Sequence, residues 1–190
     1  MGIRDFVDEH YKHFNAGELS RCSESLREFL STGGRLIVTL AGAMSTAEIG
    51  RSLGPAIRQQ RVHAICCTGA NLEEDLFSLI SRSEYEMVPN WRQQSGKDDA
   101  ALAKRGLNRV TDVAIPERTI TKVGDRLMEL WEEAETMSDS RFPHEYIYDL
   151  LLHGELDFSS PPEGSWLMAA ADANLPIFTP GWEDSTLGNI

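Results

Sequence analysis

Apolar side chains recur with two periods along the chain, and the order of these patterns predicts an α/β fold. Residues 35–40 and 62–67 are short, continuous apolar runs, typical of strands that are buried on both faces of a sheet. A glycine-containing loop follows each run, and helical spacing of apolar residues follows each loop, over 45–59 and 71–80. This repeated order is typical of a parallel sheet with right-handed crossovers. We therefore predict a Rossmann-like parallel sheet with helices on both faces.

The rest of the chain fits one α/β domain over residues 1–190. The apolar pattern of residues 175–179 predicts a third buried strand. The polar pattern of residues 84–115 predicts a long irregular lobe. Helical spacing or helix-start signals predict further helices over 4–30 with a break at 15–17, over 100–105, from Pro116 to at least Trp131, over 143–152 and over 166–173.

Three loops are expected to meet at one edge of this sheet. Ligands of open parallel sheets bind beyond the carboxyl ends of the strands, where residues 41–46, 68–74 and 181–188 would lie. Helix N-termini after the first two loops suit a dinucleotide pyrophosphate. The usual GxGxxG fingerprint is absent, so a nucleotide site and ordinary connecting loops both remain open.

Acidic residues are concentrated at the same predicted edge. Glu73, Glu74 and Asp75 are consecutive, and Glu183 and Asp184 belong to the third loop. Carboxylates near a helix N-terminus also stabilise the helix dipole, which is a purely structural explanation. Convergence of two acidic loops nevertheless favours a site for a cationic amine, held by charge-assisted hydrogen bonds.

Composition narrows the function classes. The net charge of −12 makes nucleic acid an unexpected partner, because phosphate binding needs a basic face. No apolar run is long enough for a membrane span, and the first residues contain no signal-peptide core, so we expect a cytoplasmic protein. The three cysteines have neither disulfide-framework nor zinc-site spacing, and no metal site is predicted.

No lysine has the sequence surroundings of a covalent catalyst. A nucleophilic lysine needs desolvation to lower its pKa, whereas Lys97, Lys104 and Lys122 lie in polar stretches. We therefore assign no catalytic residue within this chain.

Six segments carry a family resemblance, and the most specific are TGANLEEDL at 68–76 and EDSTLGN at 183–189. The others cover residues 10–16, 39–44, 108–116 and 142–145. With these segments the sequence resembles the deoxyhypusine synthase family, in particular its bacterial deoxyhypusine-synthase-like (homospermidine-synthase-like) branch.

The resemblance implies an NAD-dependent transferase of polyamine metabolism. Such enzymes move an aminobutyl group from spermidine, through an imine on an enzyme lysine, to an acceptor amine. The acceptor is a lysine of initiation factor 5A or, in homospermidine-forming relatives, putrescine. The resemblance also implies a homo-oligomer, usually a tetramer.

Site residues follow from the same resemblance. It places contacts to NAD at Gly42, Ala43, Met44, Ser45, Thr46, Thr68, Gly69, Ala70, Glu74 and Asp184. It places polyamine contacts at Glu73 and Glu74, and at the position of Asn189.

Two departures from the family pattern keep alternatives open. Asn189 stands where true deoxyhypusine synthases have a polyamine-binding aspartate, and the segment with the catalytic lysine lies beyond Ile190. The chain is therefore expected to be the N-terminal part of the fold. One alternative is a non-catalytic NAD- or polyamine-binding subunit or pseudoenzyme that completes a partner's site. Another is a transferase for a different cationic amine, such as agmatine.

Overall fold

A computed structural model describes residues 2–154 and 156–190. The chain divides into two compact units, one up to Leu36 and the other Ile37–Ile190. The first unit is a pair of helices, α1 (Ile3–His10) and α2 (Phe14–Ser31). The single-domain assignment of residues 1–190 stays a prediction.

The break between the first two helices lies earlier in the chain than the predicted position at residues 15–17. The chain leaves α1 before Phe14, and α2 continues through residues 15–17. Gly17 lies in the first turn of α2 and donates its N–H to the carbonyl of His13 at 3.1 Å. A Cβ at Gly17 would lie 2.8 Å from the carbonyl oxygen of Lys12, so this glycine permits the tight turn instead of ending the helix.

The second unit contains the predicted parallel sheet. Its strands are β1 (Ile37–Leu40), β2 (Ala64–Cys67) and β6 (Ile177–Phe178), in the order β1-β2-β6 with both pairings parallel. Helices flank the sheet, as α/β architecture requires: α3 (Gly50–Arg58), α4 (Gly69–Ser81), α6 (Glu117–Met137), α7 (Pro143–His153) and α8 (Trp166–Asp172). The α/β prediction with a parallel sheet is confirmed.

Burial of the strands differs from the prediction. β2 is mostly buried, but exposure alternates along β1, and Ile37 is 61% exposed. Both β1 and β6 lie at sheet edges, and Phe178 of β6 is 48% exposed. The continuous apolar run of residues 35–40 therefore does not correspond to a strand buried on both faces.

Residues 84–115 form a small antiparallel sheet where an irregular lobe was predicted. Its strands β3 (Glu86–Met87), β4 (Leu107–Val110) and β5 (Val113–Pro116) have the order β3-β5-β4. Helix α5 (Gly96–Lys104) precedes β4 and begins earlier than the predicted helix at 100–105. Asn108 and Arg109 give β4 a polar centre, which hid the strand from a pattern based on apolar runs.

Candidate functional site

The loops after β1, β2 and β6 leave the same edge of the parallel sheet. We call them the first loop (residues 41–46), the second loop (68–74) and the third loop (181–188). Leu40 is in register with Cys67, and Cys66 with Phe178, so all three strands end at one level. The N–H of Thr68 donates to the carbonyl of Leu40 at 3.3 Å, which extends the pairing into the loops. The predicted convergence of three loops at one sheet edge is confirmed.

Three consecutive carboxylates of α4 are directed at three different elements. Glu73, Glu74 and Asp75 are exposed by only 4%, 6% and 5%. Both oxygens of Glu73 accept backbone N–H groups of the third loop, from Thr186 at 3.1 Å and from Leu187 at 2.8 Å. Glu73 therefore anchors the third loop to α4.

Glu74 connects α4 to the first loop. Its Oε2 accepts the hydroxyl of Thr46 at 2.7 Å and the backbone N–H of Thr46 at 3.3 Å. Burial raises the pKa of Glu74, the two hydrogen bonds from Thr46 oppose that rise, and the nearby charge of Glu73 adds to it. Within the described residues Oε1 accepts no hydrogen bond, so this oxygen has the capacity to accept a further donor.

Asp75 is directed to the start of α8. Its Oδ2 accepts the hydroxyl of Ser165 and the backbone N–H of Leu167, the latter at 3.1 Å. Burial raises the pKa of Asp75 to about 6, although these hydrogen bonds favour its charged form. Asp75 is thus a structural carboxylate that joins α4 to α8.

The helix predicted from residue 45 does not begin within the first loop. Residues 44–49 are turns, and α3 begins only at Gly50, with Glu48 in the left-handed region at φ 62°. Ser45 and Thr46 use their hydroxyl groups in contacts with other elements. Ser45 donates to the carbonyl of Asn71 at 2.6 Å and accepts the indole N–H of Trp166 at 2.9 Å. Its hydroxyl group is therefore occupied within the protein.

Two glycines in the loops have different roles. Gly42 has φ +63°, and a Cβ there would meet no atom within 4 Å, so its backbone borders open space. A Cβ at Gly69 would lie 2.5 Å from the Cβ of Ser185 and 3.1 Å from Trp182. The third loop thus packs closely against Gly69, where a larger residue would overlap it.

The remaining predicted site residues lie towards solvent. Met44, Glu183, Asp184 and Asn189 are exposed, and Ala43, Thr46, Thr68 and Ala70 are half-buried. The third loop reaches α4 through its backbone N–H groups. Within the described part of the chain, Glu183 and Asp184 form no hydrogen bond with α4. The third loop is thus joined to α4 by carboxylate-to-backbone contacts, and a cation site between its acidic residues and those of α4 stays a prediction.

Three residues near the site were not predicted to have a role there. Asn71 is fully buried within α4, and the indole N–H of Trp166 reaches Ser45. The Tyr85 hydroxyl is buried and accepts or donates no hydrogen bond among the described residues. Burial raises the pKa of Tyr85, and the charge of Glu74 raises it further. The sequence offered no signal for the contact of Trp166 with Ser45, because these residues lie 121 positions apart.

The site is compatible with a dinucleotide at its outer edge. The space beside Gly42 and the N-terminus of α4, a helix of 13 residues, provide room and backbone N–H donors for an anionic group. Glu74 has an oxygen without a partner in the described structure, which suits a cationic group. Among residues 2–154 and 156–190, no group of three metal-ligating side chains is placed to hold a metal ion.

The fold is of the α/β class, with an open parallel sheet at one edge of which three loops lie. The family model for deoxyhypusine synthase matches residues 7–190. The chain therefore belongs to the deoxyhypusine synthase family.

Individual relatives agree with the family match. The chain is 24% identical over 175 residues to "Probable deoxyhypusine synthase 1" of Archaeoglobus fulgidus, covering 92% of this chain and 53% of the relative. It is 29% identical over 153 residues to "Probable deoxyhypusine synthase 2" of Methanosarcina mazei, covering 80% and 41%. The chain thus spans about half the length of the curated relatives it matches.

A solved structure supports the fold. A crystal structure of a candidate deoxyhypusine synthase from Entamoeba histolytica has a TM-score of 0.50 and 17% identity to this chain. The match covers 82% of this chain and 43% of that one. In the described part of this chain, no helix combines the length and the apolar character of a bilayer span.

Proposed function

We propose that this chain provides the cofactor- and amine-binding half of an NAD-dependent aminobutyl transferase that acts on spermidine. The observation that carries this proposal is the sheet edge at which the first and third loops are fixed to α4, the helix that follows β2 directly. Glu73 holds the third loop and Glu74 holds the first, so one helix positions both sides of the site. Family membership supports the reaction class.

The chemistry of each residue decides whether we assign it to NAD or to the polyamine. The backbone at Gly42–Ala43 and at the start of α4 would hold the anionic part of NAD, which supplies reversible hydride acceptance when bound. Glu74 would hold an ammonium group through Oε1, because a buried carboxylate binds a cation strongly when water is excluded. Glu73 uses both oxygens to hold the third loop, so we assign it to positioning the site around the polyamine.

The exposure of the lysines favours a second candidate function. All four lysines, Lys12, Lys97, Lys104 and Lys122, are exposed. A lysine that forms an imine needs a desolvated environment, which none of these positions provides. A non-catalytic subunit that binds NAD and polyamine and completes the site of a partner would need no such lysine.

One assay separates the two candidates. The intact gene product is incubated with NAD, spermidine and putrescine, and 1,3-diaminopropane and homospermidine are measured by liquid chromatography. Release of 1,3-diaminopropane supports the transferase, and homospermidine identifies putrescine as the acceptor. NAD binding without release from any polyamine favours the binding subunit. In a parallel incubation with NAD and agmatine in place of spermidine, NAD-dependent consumption of agmatine alone shifts the substrate assignment to that amine.

A further inference from the structure

Asn71 is the buried side chain that joins the first loop to the second. It is fully buried within the first turns of α4. Its Nδ2 donates to the carbonyl of Gly42 at 2.8 Å and to the hydroxyl of Thr68 at 2.7 Å, and its Oδ1 accepts the N–H of Met44 at 3.0 Å. One amide group thus contacts two residues of the first loop and one of the second.

The partners fix the orientation of this amide. A backbone N–H can only donate, and a backbone carbonyl can only accept, so Oδ1 must face Met44 and Nδ2 must face Gly42. The Thr68 hydroxyl then accepts from Asn71 and donates to the Gly42 carbonyl at 2.7 Å. Both hydrogens of Nδ2 and the oxygen Oδ1 have a partner, so only one orientation of the amide satisfies these contacts.

The same hydrogen bonds set the direction of one peptide group. Asn71 and Thr68 draw the carbonyl of Gly42 inward. The N–H and C=O of a trans peptide point in opposite directions, so the N–H of Ala43 points outward from the loop. Within the described residues this N–H has no hydrogen-bond partner, and Ala43 is half-buried. It is therefore an oriented donor beside the open space at Gly42.

We propose that Asn71 is a positioning residue that orients the Gly42–Ala43 peptide for an anionic group of the dinucleotide. The inference rests on the proposed function, because it assigns the ligand of this peptide to NAD. Asn71 itself does not reach the ligand, since its side chain is buried and its amide is used by the loops. Its effect on binding passes through the Ala43 N–H.

The test compares binding constants of folded variants. Isothermal titration calorimetry measures the Kd for NAD and for ADP-ribose, and then the Kd for spermidine at saturating NAD. Asn71→Ala is expected to weaken NAD and ADP-ribose about tenfold each, the size of one lost hydrogen bond to a charged group. The affinity for spermidine is expected to stay within about twofold. A role in stability alone would lower the Tm and leave the Kd of the folded protein unchanged.

Matched variants keep the test decisive. Ser81→Ala is the control, because Ser81 is a buried residue of the same helix whose hydroxyl donates to the Phe77 carbonyl, far along α4 from the loops. It is expected to leave the Kd for NAD unchanged. If Asn71→Ala does not fold, Asn71→Ser replaces it, because the shorter hydroxyl side chain stays polar but cannot bridge the Gly42 carbonyl and the Met44 N–H. Asn71→Ser is expected to weaken NAD binding in the same direction.

The measurements distinguish a failure of the proposed function from a failure of the positioning role of Asn71. If the unaltered protein does not bind NAD, the proposed function is wrong and the inference falls with it. If the unaltered protein binds NAD and folded Asn71→Ala binds it equally well, only the positioning role is wrong. Equal loss of NAD and spermidine affinity would also overturn that role, because it would indicate general damage to the site.

Discussion

Glu74 accepts the hydroxyl of Thr46 at 2.7 Å, and this contact joins residues 28 positions apart at the edge of the parallel sheet. It explains why Thr46 does not cap α3, because its hydroxyl group is used between elements instead of within its own helix. The same contact places a buried carboxylate beside the loop that is proposed to hold NAD.

Replacement of Glu74 tests the amine-binding carboxylate. Glu74→Gln removes the charge and keeps the shape, so the Kd for spermidine at saturating NAD is expected to rise about tenfold or more. Titration calorimetry measures it. Glu132→Gln, the same chemical change at an exposed position of α6, is the control and should have no effect. Unchanged spermidine affinity in Glu74→Gln would remove this residue from the amine site.

Replacement of Glu73 tests the anchoring of the third loop. In Glu73→Gln the amide can accept through only one atom, so at least one of the N–H groups of Thr186 and Leu187 loses its partner. We expect a loss of about 1–3 kcal/mol in the free energy of unfolding. Hydrogen exchange of these two amides should also become faster. Glu183→Gln, an exposed change in the same loop, should alter neither quantity.

The sequence predicted the sheet edge but not the contacts that hold it together. β1 and β2 are found because their apolar runs have a local period, and their parallel arrangement follows from the intervening helix. The bonds from Glu73 to Thr186 and Leu187 span more than a hundred positions, and no local pattern encodes such a pair. Acidic residues in a helix have several possible partners, so their direction depends on the folded chain.

Helix boundaries were predicted less well for a related reason. Asn71 has the chemistry of a helix cap, yet Thr68 lies at the cap of α4 and Asn71 lies inside the helix. Its side chain instead binds the first loop, which lies about 28 positions earlier in the sequence. Tertiary hydrogen bonds therefore outweigh the local preference of a capping residue.

The buried Asp75 predicts a pH dependence of stability. Its folded pKa of about 6 lies above the ordinary value of 3.8, so the native protein binds more protons than the unfolded chain between these values. The free energy of unfolding should therefore fall as the pH rises through this window, by roughly 3 kcal/mol from this group. Asp75→Asn removes the titration.

Denaturant unfolding measured between pH 4 and pH 7 tests this prediction. The difference in unfolding free energy between the unaltered protein and Asp75→Asn isolates the contribution of Asp75, because other groups titrate in both proteins. This difference should change most between about pH 4 and pH 6. A constant difference over the whole range would show that Asp75 has an ordinary pKa.

A methyl group at Gly69 tests the contact between the second and third loops. In Gly69→Ala the new Cβ would overlap Ser185, so the third loop must move away from α4. We expect a loss of about 1–3 kcal/mol in stability and a weaker affinity for NAD. Gly96→Ala is the control, because a Cβ at Gly96 meets no atom within 4 Å. Equal behaviour of the two variants would contradict the close packing at Gly69.

The most direct test of the three-loop site is to map where NAD binds. Backbone amide NMR spectra of the labelled protein are recorded as NAD is added, and the shifted residues are assigned. The largest shifts are predicted in residues 41–46, at 68–71 and in the loop 181–188, with Ala43 among them. Saturable shifts that cluster away from this sheet edge, or no shifts at millimolar NAD, would contradict a nucleotide site formed by these loops.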